Sequence, residues 1–589
     1  PEPEPEPEPE MKKPEPEPEV EPEPEPEPEP PVKPPVSPEF QIFTPPLFVG
    51  YLNGMSSLVK SGVSGQCDGG RSLGVGVREM RGGRWANACP QGSLTWQGRG
   101  GANATLEEMD LLLTGGRLTP AARQVVQAAY EQAPPGEELQ AAQQAVAMTA
   151  EFNTQGAPLP LPGRRPFVVG GEAPTRKPYK AVVMLFLSGG ADTFNMLVPQ
   201  ECDLYQEYRS IRTDLALNPN ELLKISTTGQ ACESFGIHAR FSFLKGLYDK
   251  GQAAFVSNVG ALVEPTTKER LRQGTAQRCF GLFSHSDQQN AAQTLKCQDM
   301  GTSARGAGGR VADALAAGSQ KFHTTSFSLA GSAIWPQGVT TQRDIVGQRG
   351  GHGFHEYERW REAISNITAQ RHGNAYSEAY ARAFLDSIQN TVTLGRTLQG
   401  VELKTKYPER TRLDRELQQV AKLIASREAR HAERDFFFVS LGGWDMHSMM
   451  KQRLDSRFRD IDAALRGFVA EMEAQGVWER VALATESEFG RTLDSNGGGS
   501  DHAWAGNHFI ISGGLKGGRV FNKFPSSLKA GNDRDLGRGR LIPEFPWESM
   551  MVPMAEWMGM DPSQRTDTFP NIGYFNSSHI IAENDLFKS

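Results

Sequence analysis

Trp444-Asp445-Met446-His447 sets a carboxylate and an imidazole two residues apart, just after the apolar run at 436–439 and the pair Gly442-Gly443. Such a run reads as a buried strand, and α/β proteins hold ligands just past strand ends. Residues two apart in extended chain face the same way, so Asp445 and His447 are expected to reach one ion. Carboxylate with imidazole suits Zn²⁺, and also Mn²⁺ or Fe²⁺. Two more apolar runs end in the same manner. Residues 182–187 lead into Ser188-Gly189-Gly190-Ala191-Asp192, and 481–485 into Glu486-Ser487-Glu488-Phe489-Gly490-Arg491-Thr492. Glu486 and Glu488 alternate, and Glu488, before a tight turn, is expected to face the site. Asp501-His502 follows the glycine-rich stretch 496–500, which can fold back over a site. Asp192, Asp445, Glu488 and Asp501-His502 thus suggest a metal centre assembled from distant parts of the chain, with Arg491 holding an anion or pairing with Glu488.

A nucleophile is available in Phe283-Ser284-His285-Ser286-Asp287. Ser284 falls where a polar helix begins, and the field of a helix N-terminus stabilises an alkoxide or an attached phosphate. A serine hydroxyl still needs a metal or a base to ionise. Each residue has a plainer reading as well. Asp192 could cap a turn, Ser284 a helix, Arg491 could form an ordinary salt bridge, and Asp501-His502 could lie on a surface loop.

These residues need a scaffold. Apolar strands at 180–187, 253–259, 325–330, 435–441, 480–485 and 508–512 alternate with helical stretches, of which 375–400, 409–433 and 451–475 are the clearest. That alternation predicts one large α/β domain over 179–589, with a mainly parallel sheet covered on both faces. Residues 156–178, rich in Pro and Gly, read as a linker. Residues 39–155 read as a small loop-rich and mostly helical unit, with a capping box at Thr105-Leu106-Glu107-Glu108 and helix starts at Thr119-Pro120 and Glu137. Residues 1–38 are Glu-Pro repeats carrying thirteen Glu and three Lys, which predicts a disordered, extended acidic spacer. Its charge of −10 against a total of −8 leaves the remainder close to neutral, which gives no electrostatic case for nucleic-acid binding.

No run of eighteen apolar residues offers a transmembrane segment. Six cysteines without CxxC spacing fall as neighbouring pairs, suggesting disulfides Cys67–Cys89, Cys202–Cys232 and Cys279–Cys297 among fifteen possible connectivities. Asn103, Asn366 and Asn576 begin N-x-S/T glycosylation sequences. Together these favour a secreted or luminal protein, with reduced cytosolic cysteines as the alternative. The chain begins with Pro, which suggests a fragment or a processed product.

As an ordered set, Phe186-Leu187-Ser188-Gly189-Gly190-Ala191-Asp192, Ser284-His285, Gly442-Gly443-Trp444-Asp445-Met446-His447, Ser487-Glu488-Phe489-Gly490-Arg491-Thr492 and Ser500-Asp501-His502 resemble the family known as domain of unknown function 1501. That family is grouped with the alkaline phosphatase and sulfatase superfamily, and the resemblance spans roughly 178–575. It implies an alkaline-phosphatase-like three-layer α/β sandwich. It also implies a divalent metal, Zn above Mn, Fe or Ca, and a small-molecule or glycan phosphate or sulfate ester as substrate. Asp192, Asp445, His447, Glu488 and His502 would be the metal ligands and Ser284 the nucleophile, with His285 and Arg491 beside it. The chain departs from superfamily phosphatases in having Asp-x-His at 445–447 and Glu488-Phe489 where an Asp-His pair is usual, which weakens a second metal. It has no formylglycine motif. Residues 39–155 resemble, less specifically, the end of the family known as domain of unknown function 1800, through Phe43-Thr44-Pro45-Pro46, Tyr51-Leu52-Asn53-Gly54-Met55 and Thr149-Ala150-Glu151-Phe152. The alternative to a secreted hydrolase is a non-catalytic surface or matrix protein that keeps the fold.

Overall fold

Alternation along the first strand of the α/β region builds two cores at once. In β1 (Lys180–Ser188), Ala181, Val183, Leu185 and Leu187 face one side, and Val182, Met184 and Phe186 the other. A strand buried on both faces belongs at the centre of a sheet covered by helices on each side, and β1 lies there. The computed structural model describes residues 45–62, 77–81, 84–88, 96–98, 100–165, 177–298, 305–348, 350–351 and 354–588. The Glu-Pro repeats, Cys67 and Cys89, Phe43-Thr44 and residues 166–176 of the expected linker lie outside the described residues.

Among the described residues the central sheet has ten strands. After β1 come β2 (Ala253–Gly260), β3 (Thr324–Ser328), β4 (Arg343–Gly347), β5 (Gly350–Gly351), β6 (Arg434–Gly442), β7 (Val481–Glu486), β8 (Gly506–Ile511), β9 (Val520–Phe521) and β10 (Phe545–Pro546). They are ordered β5-β4-β3-β6-β1-β7-β8-β2-β9, with β10 also on β2. Only β5 and β8 run against the rest, so the sheet is mainly parallel, as the strand–helix alternation implies. Helices Ser242–Asp249, Arg412–Ala425 and Met450–Ala474 cover one face. Helices His285–Thr294, Ala307–Ala317 and Glu548–Trp557 cover the other. Helix 412–425 is shorter than the expected 409–433. It starts where Thr411 accepts from the Asp414 N–H in a capping box.

Helices Pro45–Ser61, Ala102–Thr114, Pro120–Glu131 and Glu138–Ala147 turn their apolar faces to two helices from much later in the chain, Tyr357–Thr368 and Ala375–Gln399. Phe48, Val49, Leu52, Met109, Val126 and Val146 share a buried cluster with Trp360, Ile364, Tyr380 and Phe384. The first of these helices after the glycine-rich stretch spans Ala102–Thr114 and begins at Gly101, so Thr105 lies inside it rather than at its start. Thr119 does cap the helix Pro120–Glu131, accepting from the Ala122 N–H at 3.2 Å. Cys202–Cys232 and Cys279–Cys297 are disulfides. Among the described residues no helix is long and apolar enough to cross a membrane.

Candidate metal centre

The three central parallel strands β6, β1 and β7 are in register and end together, with Gly442 opposite Ser188 and Glu486 opposite Phe186. Their carboxyl ends deliver the loops that carry the chemistry. After β6 the chain turns at Gly443, at φ +92, and then alternates in burial: Trp444 and Met446 enter the core while Asp445 and His447 are exposed. Trp444 packs its ring on Phe458 and donates its backbone N–H to the Ser188 carbonyl oxygen. Gly189 makes that approach possible. At φ +126 its missing Cβ would stand 2.5 Å from the Asp445 backbone nitrogen. After β7, residues 490–492 pair antiparallel with 501–504, which brings His502 across from Arg491.

Asp445 Oδ1 is the meeting point. His447 Nε2 lies 2.9 Å away, His502 Nε2 3.3 Å and His285 Nε2 3.6 Å. Arg491 Nη1 donates to the same oxygen at 2.8 Å. Each imidazole is fixed from behind through Nδ1. Glu488 Oε1 pairs with His285 at 3.0 Å, the Phe283 carbonyl oxygen with His502 at 2.7 Å, and Asp501 Oδ1 with His447 at 2.8 Å. A carbonyl oxygen can only accept, so the His502 proton sits on Nδ1 and its Nε2 lone pair faces Asp445. His285 Nε2 has no hydrogen-bond partner. The Phe489 ring packs against both His285 and His502, at 5.0 and 4.7 Å between centroids.

Outer-sphere acceptors that fix the tautomer and aim the free nitrogen are the mark of metal-binding histidines. Donor atoms of His285, Asp445 and His502 all lie within 4.8 Å of one another, the set among the described residues with this property. For bonds of about 2.0–2.1 Å to zinc, donors in a tetrahedral shell stand roughly 3.3 Å apart, close to the separations of His502 and His285 from Asp445. The residues present therefore fit a divalent ion. Burial lowers the pKa of His502, outweighing the Phe283 hydrogen bond, and so favours the neutral ligand form. Burial raises the Asp445 carboxyl, but the hydrogen bond and charge of Arg491, with His447 and His285, hold it below its ordinary value. Asp501 is likewise drawn down to about 2, because hydrogen bonds from Arg538, His447 and Asn496 outweigh its burial.

Other expected site residues sit around this centre. Glu488 stands behind His285, where its Oε1 also accepts from the Gly189 N–H at 2.7 Å and Gln289 Nε2 at 3.1 Å, and its Oε2 from Ser487 Oγ at 3.1 Å. Asp192 is engaged elsewhere. Its Oδ2 accepts from the buried Arg212 at 2.7 Å and its Oδ1 from the Asn195 N–H at 3.2 Å. Arg491 is fully buried behind Asp445 and held by the Ser500 and Gly189 carbonyl oxygens. Ser284 precedes the helix His285–Thr294 without capping it through its side chain, and its Oγ lies 3.3 Å from Ser286 Oγ. Asp501, Phe283, Arg538 and Arg212 support the centre or its neighbours without having been singled out from sequence. Asp501 could have been, since it adjoins His502; the other three act through distant partners.

The family model for "Protein of unknown function (DUF1501)" matches residues 179–566, about two thirds of the chain and all of the residues just described. The chain belongs to the DUF1501 family. No curated protein matches it in sequence. Among solved structures, this DUF1501 chain is similar to Ps i-CgsB, at 8% identity and a TM-score of 0.29 over 68% of this chain and 77% of that one. It is similar to the PsFucS1 sulfatase from Pseudoalteromonas sp., at 9% identity and 0.28 over 70% and 74%. It is also similar to the lipoteichoic acid synthase LtaP from Listeria monocytogenes, at 7% identity and 0.25 over 65% and 72%. Likeness this slight fixes no reaction for the DUF1501 centre.

Proposed function

We propose that this protein is a metal-dependent hydrolase of phosphate or sulfate esters, with the metal bound by His285, His502 and Asp445. The observation that carries the proposal is the set of imidazoles locked through Nδ1 and aimed through Nε2 at one carboxylate oxygen. Three protein ligands with an open position is the arrangement of catalytic rather than structural zinc. A divalent ion held there supplies positive charge to ester oxygens and lowers the pKa of an attached hydroxyl or water.

The chain's own residues do the rest. Glu488, Phe283 and Asp501 hold protons at Nδ1 of the three imidazoles, which keeps Nε2 available. Arg491 keeps Asp445 ionised. His285 opens a ten-residue helix, so the positive end of that helix faces the same space and favours an anionic group beside Ser284. Ser284 is the proposed nucleophile on that account and on the resemblance of its motif. Half-buried at the helix start, it keeps part of its surface open to a substrate. A secreted setting agrees with the two disulfides.

The test is turnover of aryl phosphates and aryl sulfates by protein loaded with Zn²⁺, Mn²⁺ or Ca²⁺. Hydrolysis is expected to vanish on chelation and in Asp445→Asn, and to fall at least about 100-fold in Ser284→Ala. Absence of turnover with either ester class in metal-loaded protein would instead favour a non-catalytic surface protein.

A further inference from the structure

Resting on that reading of the site, we infer that the centre holds a single divalent ion and that Arg491 takes the place of a second. A count of uncommitted donor atoms carries this. The first ion takes His285 Nε2, His502 Nε2 and one oxygen of Asp445. Glu488 is committed inside the core: its side chain is fully buried, Oε1 accepts from Gly189, His285 and Gln289, and Oε2 lies 3.1 Å from Ser487 Oγ, which also donates to the Leu187 carbonyl oxygen. Asp501 is equally committed, with Oδ1 on His447 and Asn496 and Oδ2 on Arg538 at 2.6 Å. Asp192 is bound to Arg212 and Asn195. What remains for a second ion is His447 Nε2 and the other oxygen of Asp445. Two donors are fewer than the three or four protein ligands that divalent sites of this kind use.

The Asp445 oxygen on which the imidazoles converge already carries a cation. Arg491 Nη1 is 2.8 Å from Asp445 Oδ1, and its side chain is fully buried. Nη1 also lies 3.4 Å from the Gly189 carbonyl oxygen, while Nη2 donates to the Ser500 carbonyl oxygen and Nε lies 3.5 Å from the Ser500 hydroxyl. Guanidinium does not lose its proton in proteins, so this charge is permanent and cannot move aside without breaking backbone contacts. A carboxylate that would bridge two metals here bridges one metal and one arginine. Arg491 is a positioning residue: it acts through Asp445 and, being buried, does not touch substrate.

The experiment is metal titration of chelator-stripped full-length protein with Zn²⁺, read by calorimetry and by mass spectrometry of the dialysed complex. Wild type is expected to bind one equivalent per chain. His285→Ala and His502→Ala are expected to lose it, whereas His447→Ala keeps one equivalent with affinity reduced no more than about tenfold. Arg491→His, which removes the cation and supplies a third donor, is expected to gain a second equivalent. If that variant does not fold, the wild-type stoichiometry decides alone. Two equivalents in wild type overturn the inference and leave the metal-hydrolase reading standing. No bound metal in wild type overturns both.

Discussion

At the scale of single residues, two carboxylates with similar sequence settings do different work. Asp192 neutralises Arg212, whose side chain is fully buried. Removing one partner of a buried pair leaves an uncompensated charge and costs about 3–5 kcal/mol. Asp192→Ala is therefore expected to lower stability by that amount in denaturant unfolding while metal content stays unchanged. Glu488→Gln should do the reverse, keeping the fold and weakening metal affinity about 10–100-fold through His285. Metal loss in Asp192→Ala at full stability would contradict both assignments. Asp445 and His447 were legible in sequence because Trp444 and Met446 alternate with them, and alternating burial throws the polar pair outward. Asp192 carries the same local signature of strand, paired glycines and acid. Its partner comes from the helix Asp203–Arg212, and no local pattern reveals such a distant cation.

At the scale of elements, the helix His285–Thr294, expected from sequence to offer a nucleophile, also builds the centre itself. It supplies His285, and the residue just before its start, Phe283, supplies the carbonyl that fixes His502. The Cys279–Cys297 disulfide encloses this whole segment. Loop-closure entropy for a ring of this size is about 3 kcal/mol. Cys279→Ala/Cys297→Ala should lose roughly that much stability and also bind metal more weakly, because both His285 and Phe283 gain freedom. Cys202→Ala/Cys232→Ala should lose stability and keep metal affinity. Thermal unfolding and Zn²⁺ titration of the two variants side by side check this, and equal metal affinities would contradict it. Six strands of the sheet were readable as short apolar runs, whereas Arg343–Gly347, Gly350–Gly351, Val520–Phe521 and Phe545–Pro546 are too short or too polar to stand out in the sequence. Helix limits were less readable. Thr105 sits within a helix that opens three residues earlier at Ala102, since burial of Leu106 and Met109 against its neighbours decides where the helix lies.

At the scale of the whole molecule, the helices of 45–153 complete their core with residues more than two hundred positions later, such as Tyr380 and Phe384. Sequence marks each helix but not this long-range pairing, which depends on shape rather than on local pattern. Glu378 ties the same region together, accepting from Arg165 at 2.7 Å, Arg382 at 2.9 Å and the His372 N–H at 3.0 Å. Its burial is outweighed by these donors, and its pKa falls to about 2. A carboxyl depressed in the folded state contributes stability that is complete above its unfolded value of about 4.3 and is lost as pH falls toward the folded value. The difference in melting temperature between wild type and Glu378→Gln is thus expected to be constant from about pH 7 to 5 and to narrow below about pH 4. A difference that stays constant down to about pH 2.5 would show that Glu378 is not ionised in this role.

The central claim, that the three loops at the carboxyl ends of β6, β1 and β7 and the helix behind them assemble one metal centre, is tested most directly by anomalous diffraction from Zn²⁺-soaked crystals. The expected result is one peak, bonded at about 2.0–2.2 Å to Nε2 of His285, Nε2 of His502 and a carboxylate oxygen of Asp445. A map with no peak at these atoms, or with zinc bound only elsewhere, would contradict the account.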